Sequence, residues 1–323
     1  MNVLGIETSC DETSAAIVVN GSKVLSNVIK SSLKEHSKYG GVIPEIASRR
    51  HLACINSIVK KALKDSNLKI KDIDAIAVTK SPGLIGSLLV GTSFANAISF
   101  ALNKPLIDVD HIKAHLHANF LFSDKKNFKK PSLPAVGLIV SGGHTSLYKI
   151  SALDKFKLLG QTLDDAAGEA FDKVARILEL SYPGGPIIDK LAKTVKKTKI
   201  KFNCAKLSNT LNFSFSGIKT AVLYYKQKNK KALISEVAFA FQESVVSVLT
   251  SKCLSACKEL KTKTLLVGGG VAANSRLRNK LTEECKKNNI KVYFPPLSLC
   301  ADNAAMIAGL GYHLFKKGKK NAR

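Results

Sequence analysis

Residues 2–29 read NVLGIETSCDETSAAIVVNGSKVLSNVI. Val3–Glu7 and Ala15–Val19 are short apolar runs, with the polar turn Thr8–Thr13 between them. Asn20-Gly21 is a hairpin dipeptide, because a two-residue turn needs positive φ and both residues tolerate it. A third run follows at Val24–Ile29. The chain therefore opens with three antiparallel strands.

Outward from this hairpin pair, Pro44–Leu63 spaces Ile46, Leu52, Ile55 and Val59 as a helix. Ile73–Thr79 reads as a buried strand, Leu84–Leu102 as a buried helix and Leu106–Val109 as a strand. The order β-β-β-α-β-α-β then recurs. Ala135–Val140, Thr145–Ile150 and Phe156–Gln161 are strands, and Asp164–Leu180 and Ala232–Lys258 are helices. Strand Thr264–Val267, helix Ser275–Asn288, strand Lys291–Phe294 and the closing helix Asp302–Lys316 complete the second copy. Two copies of one α/β unit predict two lobes facing a cleft. Lys125–Pro134 reads as an inter-lobe linker or exposed loop, and Thr194–Asn212 as an insertion.

The 323 residues suffice for about two domains without disulfide or metal staples. Fifty Lys and Arg against 24 Asp and Glu give a net charge of +26. Such a balance attracts nucleic acid, nucleotide or an anionic membrane, although a Lys-rich proteome would produce it as well. Only six of the cations are Arg, the better phosphate fork. Met1-Asn2 runs straight into Val3–Ile6 without a basic leader, and the seven Cys are scattered, so a reducing, cytoplasmic setting is expected. Cys253 and Cys257 share a helical face and read as core thiols. The uncharged stretch Ser81–Asn103 is long enough to span a bilayer. Its Ser87, Thr92, Asn96 and Ser99, and the Pro82-Gly83 turn that opens it, favour a buried helix of a soluble core.

Three glycine-rich turns follow. Ser141-Gly142-Gly143-His144 lies between two strands, and Gly268–Asn274 joins a strand to a helix. Tyr182-Pro183-Gly184-Gly185-Pro186 is the third. Each alone is an ordinary turn; together they suggest backbone amides that cradle a phosphate. Neither the P-loop nor the dinucleotide fingerprint is present.

His111 and His115 are four apart after a strand end, so on a helix they point the same way. They read either as a metal pair or as surface histidines; His117 is off their face. A zinc protease of the H-E-x-x-H type needs Glu after the first His, and Ile112 stands there. Phe171, Val174, Ala175 and Leu178 mark the buried face of their helix, with Asp165, Glu169, Asp172 and Arg176 opposite. That stripe reads as a solvated face with an Asp172–Arg176 ion pair, or as part of a site. Asp302 is either an N-cap or a third metal ligand.

Taken together, the segments LGIETSCDETSAAIV, GGVIPEIASRRH, SPGLIGSLLVG, IVSGGHTSLY, DDAAGEAFDKVARIL, YPGGP, FSFSGIKTAV, GGGVAANSRLR and CADNAAMIA resemble the bacterial tRNA N6-adenosine threonylcarbamoyltransferase family, once labelled O-sialoglycoprotein endopeptidase. The resemblance implies an α/β fold of two actin-like (ribonuclease H-like) lobes, each a mixed five-stranded sheet with flanking helices, around a nucleotide cleft. Lobe I is expected over 1–110 with 301–323, and lobe II, carrying the histidine pair and the glycine loops, over 111–300. His111, His115 and Asp302 would hold one divalent metal, Fe(II) first, with Zn(II) and Mg(II) as alternatives. Ile139, Val140, Ser141, Gly142, Gly143, Asp172, Gly185, Asp189 and Asn274 would bind the substrate. Ser9 and Glu12 would be catalytic, Glu12 in proton handling. Many members read H-x-E-G-H or H-x-x-G-H, whereas this chain has Lys113-Ala114.

The implied reaction passes threonylcarbamoyl from threonylcarbamoyl-AMP to N6 of adenosine 37 in tRNAs that read ANN codons. The implied partners are the tRNA anticodon stem-loop, a smaller inactive paralogue that dimerises through lobe I and a P-loop ATPase, with no membrane. Three other readings stand beside it. One is a metal-dependent endopeptidase, which lacks its Glu base. Another is an inactive nucleotide-binding scaffold. A sugar or acetate kinase shares the fold class but would carry Asp where this chain has Glu7.

Overall fold

The computed structural model describes residues 1–126, 128–205, 207 and 210–321. Two compact units divide the chain: Met1–Lys130 with Pro295–Arg323, and Pro131–Phe294. The first crossing falls inside Lys125–Pro134, the expected linker, rather than at 110/111. This corrects the expected domain boundaries and places His111 and His115 in the first unit. The physical reason is that the helix carrying them is buried in that unit's core, with Ala114 and Ala118 packed among residues of the closing helix.

In the first unit, β1 (Asn2–Glu7), β2 (Glu12–Val19) and β3 (Lys23–Ser31) form the antiparallel opening, followed by α1 (Leu33–Ser37) and α2 (Pro44–Asp65). β4 (Ala75–Ser81), α3 (Ile85–Leu102), β5 (Leu106–Asp110) and α4 (His111–His117) follow. The second unit holds β6 (Ala135–Val140), β7 (Thr145–Ala152), β8 (Lys155–Gln161), α5 (Ala167–Ile177), α6 (Gly184–Ala192), α7 (Ser216–Lys228) and α8 (Ile234–Glu259). It ends with β9 (Thr264–Gly268), α9 (Ser275–Lys287) and β10 (Lys291–Tyr293); α10 (Ala304–Asn321) returns to the first unit.

The sheet orders are β3-β2-β1-β4-β5 and β8-β7-β6-β9-β10. Each has two antiparallel pairs followed by two parallel pairs, so the repeat read from sequence is a repeat of topology. Period-two alternation sorts the first sheet's side chains. Leu4, Ile6, Ile17, Ile76 and Val78 pack with α2 residues such as Ile55 and Val59. Val3, Ala16, Val18, Ala75 and Ala77 pack with α10 residues such as Ala304 and Ile307.

Small residues let α10 approach closely. A Cβ on Gly5 would lie 2.2 Å from the Ala304 carbonyl. The start of α10 is pinned further by its amides: Ala304 N donates to Ser14 Oγ at 2.9 Å and Ala305 N to Asn27 Oδ1 at 3.3 Å. These contacts fix Asp302, just before the helix, against the sheet.

Helix α3 corrects the expectation of a buried helix. Only Ser87, Gly91 and Ala95 of it are buried, whereas Ile85 is 79% and Phe100 91% exposed. Its small side packs on the sheet, where a Cβ on Gly91 would lie 2.2 Å from Thr8 Oγ1. Val90, Phe94 and Ile98 flank that small side and pack against the core, while Ile85, Leu89 and Phe100 face outward. Both α3 and α8 are long and apolar enough to cross a membrane by composition alone. However, α3 is the crossover between the adjacent parallel strands β4 and β5, which lays it along the sheet.

Asp164–Leu180 is shorter than expected as a helix, starting at Ala167. Asp164 instead accepts from the amides of Phe215 and Ser216 and from Ser214 Oγ, holding the start of α7. All seven cysteines are free thiols, with Cys253 and Cys257 in the core as expected.

Candidate metal centre and glycine cradles

Asp110 ends β5, and its Oδ1 accepts from Lys113 N at 2.9 Å, starting α4 directly at His111. One turn later His115 lies on the same face, and the two Nε2 atoms are 3.2 Å apart. Asp302 Oδ1 lies 3.5 Å from His111 Nε2 and 3.2 Å from His115 Nε2. The N-cap of α10 is Asn303, whose Oδ1 accepts from Met306 N at 3.1 Å. The two readings of Asp302 are thereby separated, since its neighbour caps and its own carboxylate turns to the histidines.

The spacing fits a metal. Bonds of about 2.0–2.2 Å place tetrahedral neighbours roughly 3.3–3.6 Å apart. Donor atoms of His111, His115 and Asp302 all lie within 4.8 Å of one another. His115 Nδ1 is buried without a partner, while His111 Nδ1 is well provided for. It lies 3.0 Å from Glu7 Oε2 and 3.2 Å from Ser9 Oγ. Burial would lower the His111 pKa, but Asp302 and Glu7 on its two sides raise it to about 9. Burial would likewise raise Glu7, yet the His111 ring holds it below the usual carboxylate value.

Ser9 meets this cluster directly, whereas Glu12 feels it through the Asp302 charge. Glu12 Oε1 accepts from Ser31 Oγ at 3.2 Å. Burial first, then the neighbouring Asp11 and Asp302 charges, push its pKa to about 10. His117 is no ligand: its Nε2 donates to Gly21 O at 3.2 Å, and burial lowers its pKa to about 3.

In the second unit the glycines divide into two kinds. Gly269 has φ +95°, and a Cβ there would lie 2.4 Å from Val140 O. Gly168 and Gly184 are likewise closed by backbone, at 2.5 Å from Ser141 O and 2.7 Å from Phe171 O. These three serve the fold. Around Gly142, Gly143, Gly185 and Gly270 a Cβ would meet nothing within 4 Å, and none has positive φ. The fold does not require glycine at these four. What glycine supplies there is an open backbone that a ligand can approach.

Ile139 and Val140 are wholly buried strand residues that carry the Ser141 turn, and their side chains offer a ligand nothing. Asp172 Oδ1 accepts from Gly184 N at 2.7 Å and so starts α6. Its burial raises its pKa against the Gly184 and Gly185 amides. Asp189 accepts from Ser275 Oγ at 2.8 Å and pairs with Lys193 at 3.0 Å, joining α6 to the start of α9. Asn274 caps α9 by accepting from Leu277 N at 2.9 Å, and donates to Gln242 Oε1 at 2.7 Å.

Sequence reasoning overlooked the roles of Glu7, Gln242 and Asn303. Glu7 carried the usable signal: a carboxylate ending an apolar strand must be partnered if buried.

A sequence profile described as tRNA N6-adenosine threonylcarbamoyltransferase matches residues 23–309. A protein of that name from Clostridium botulinum (strain Hall) is 50% identical over 327 residues, covering 100% of this chain and 95% of the relative. One from Dictyoglomus turgidum is 50% identical, covering 99% and 96%. Among solved structures, HypF from T. kodakarensis superposes with TM-score 0.66 at 13% identity, over 98% of this chain and 48% of HypF. The activator of 2-hydroxyisocaproyl-CoA dehydratase from Clostridium difficile gives TM-score 0.55 at 14% identity, over 100% and 98%. These two speak to fold alone, and they agree with the actin-like class. Full-length identity at this level, together with the profile match, makes the chain a member of the tRNA N6-adenosine threonylcarbamoyltransferase family.

Proposed function

We propose that the chain transfers threonylcarbamoyl from threonylcarbamoyl-AMP to N6 of adenosine 37 in ANN-reading tRNAs, in the cytoplasm. The convergence of His111, His115 and Asp302 within 4.8 Å is the observation that carries this reading beyond family membership. It also weighs against an idle scaffold, which has no use for two buried imidazoles and a half-buried carboxylate brought together. Ile112, in the place of a general-base Glu, weighs against the peptidase.

In the reaction the N6 amine attacks the carbamoyl carbon, the bond from that carbon to the phosphate oxygen breaks, and AMP departs with the proton lost by the amine. His111, His115 and Asp302 would hold the metal, and two imidazoles with a carboxylate suit Fe(II). When bound, that ion supplies Lewis acidity and a template for anionic oxygens. Glu7 orients His111, and Ser9 supports the same ring nitrogen. The open amides of Gly142 and Gly143 take phosphate charge. Asp172, Gly185, Asp189 and Asn274 shape the nucleotide subsite, the two carboxylates mainly by fixing helix starts. Glu12, whose burial and acidic neighbours favour its protonated form, is the second catalytic candidate, in proton handling.

The outward apolar face of α3 supports a protein partner, for which the smaller paralogue is the candidate; the P-loop ATPase is the second expected partner. Incubation of the chain and these partners with threonylcarbamoyl-AMP and an ANN-reading transcript, followed by nucleoside mass spectrometry, tests the activity. Modified adenosine that disappears with His111→Ala is the expected result. Absence of product from metal-loaded wild type with active partners refutes it.

A further inference from the structure

We propose that Lys196, Lys197, Lys199, Lys201, Lys228, Lys230 and Lys231 form an RNA-binding face that takes backbone phosphates, with Tyr224 as a stacking platform for an unpaired base. The proposal rests on the tRNA reading above and assigns residues within it. Between Asp189 and Glu236 the chain runs 46 residues with twelve Lys and no Asp, Glu or Arg. Spread evenly, its 44 lysines would place about six there and its 24 acids about three. A uniformly Lys-rich composition therefore does not account for the segment.

Tertiary contacts draw two runs of these charges together. Lys196, Lys197, Lys199 and Lys201 are exposed on the stretch after α6. That stretch is tied to α7 and α8: the Phe202 ring meets Tyr225 edge-on at 5.6 Å, and Ser244 Oγ donates to Phe202 O at 2.6 Å. Lys228, Lys230 and Lys231 are exposed at the end of α7. Lys193 and Lys219 pair with Asp189 and Asp165, both outside the segment. The other seven named lysines have no carboxylate partner among the described residues. Like charges held together without counter-charges repel, and a polyanion relieves that.

Tyr224 shares a helical face with Lys228, four residues on, and is 59% exposed beside exposed Leu223. An exposed aromatic ring among lysines suits a splayed base. Without Arg forks, the face grips backbone rather than reading sequence.

Binding of an unmodified tRNA transcript to the full chain, followed by fluorescence anisotropy over a salt series, tests this. The triple variant Lys228→Gln/Lys230→Gln/Lys231→Gln is expected to bind at least tenfold more weakly at 0.1 M salt. Its slope of log affinity against log salt should shrink by about 2. Tyr224→Ala should cost about tenfold and Tyr224→Phe almost nothing. Removing the same charge elsewhere, with Lys64→Gln/Lys69→Gln/Lys71→Gln, should cost less than threefold. Equal losses in the two triples, no loss in either, or a wild type that binds no transcript overturns the proposal. So does a loss confined to the partner ATPase, which would assign the face to protein. Modified adenosine formed by the triple variant at saturating tRNA keeps the transferase reading even if this face fails. Conversely, RNA binding without product in the wild type removes that reading alone.

Discussion

Glu7 Oε2 lies 3.0 Å behind His111 Nδ1, and the carboxylate is completely buried. It also accepts from Thr79 Oγ1 and from Ser9 N, each at 2.5 Å. A carboxylate fixed this firmly sets the ring's orientation and tautomer, leaving Nε2 to face Asp302 and His115. Glu7→Gln keeps the shape and removes the charge. Metal affinity is expected to fall about 10- to 100-fold, measured by competition with a chelator. Wild-type affinity in that variant would deny Glu7 its role.

Asp302 and Asn303 are neighbours with separate tasks, and two variants should separate them. Asp302→Asn is expected to lose bound metal while the metal-free melting temperature holds or rises. Asn303→Ala removes the α10 cap and should cost about 1 kcal/mol of stability with metal retained. Elemental analysis beside thermal melts reads both. The reverse pattern would mean that Asp302 is the structural residue.

The two kinds of glycine predict opposite outcomes. Gly143→Ala adds a methyl into open space, so the melting temperature should change little while binding of a non-hydrolysable adenylate analogue weakens about tenfold. Gly269→Ala meets both a positive φ and the Val140 carbonyl, so it should destabilise by more than about 1 kcal/mol. If Gly143→Ala left analogue binding intact, the cradle would belong elsewhere.

Leu89 and Phe100 project from α3 at 60% and 91% exposure. Leu89→Glu with Phe100→Ser should leave the isolated chain's stability within about 0.5 kcal/mol. The same pair should abolish co-elution with the smaller paralogue in size-exclusion chromatography with light scattering. An intact complex would move the interface off this helix.

The fold was legible because local and long-range signals agree: Asn20-Gly21 fixes the β2–β3 hairpin, and the β-β-β-α-β-α-β order appears twice. Periodicity failed at α3, since an uncharged helix with hydroxyl and amide side chains spread along it does not reveal which side the sheet takes. Only the close approach of Gly91 to Thr8 decides that. His111 and His115 were legible through i,i+4 spacing. Glu7 was not assigned a role, because its partner is 104 residues away and only the sheet brings them together. The adjacent pair Asp302-Asn303 offered two possible caps, and tertiary contacts made the choice. The boundary at 110/111 failed because a strand end resembles a lobe end, whereas α4 belongs to the core beneath α10.

Glu12 supplies the pH prediction. Its carboxyl is held protonated in the fold, with a pKa pushed up to about 10, but in the unfolded chain it ionises near its ordinary value of 4.5. Between those limits the folded state binds more protons than the unfolded one, so stability falls as pH rises. The loss is at most about 1.4 kcal/mol per pH unit from this group. Glu12→Gln keeps a neutral side chain in the same place and removes the linkage. Denaturant unfolding of metal-free protein at pH 6 and pH 8 should therefore show the variant gaining on wild type as pH rises. Parallel declines in the two proteins would mean that Glu12 is ionised in the fold, and would return it to consideration as a base.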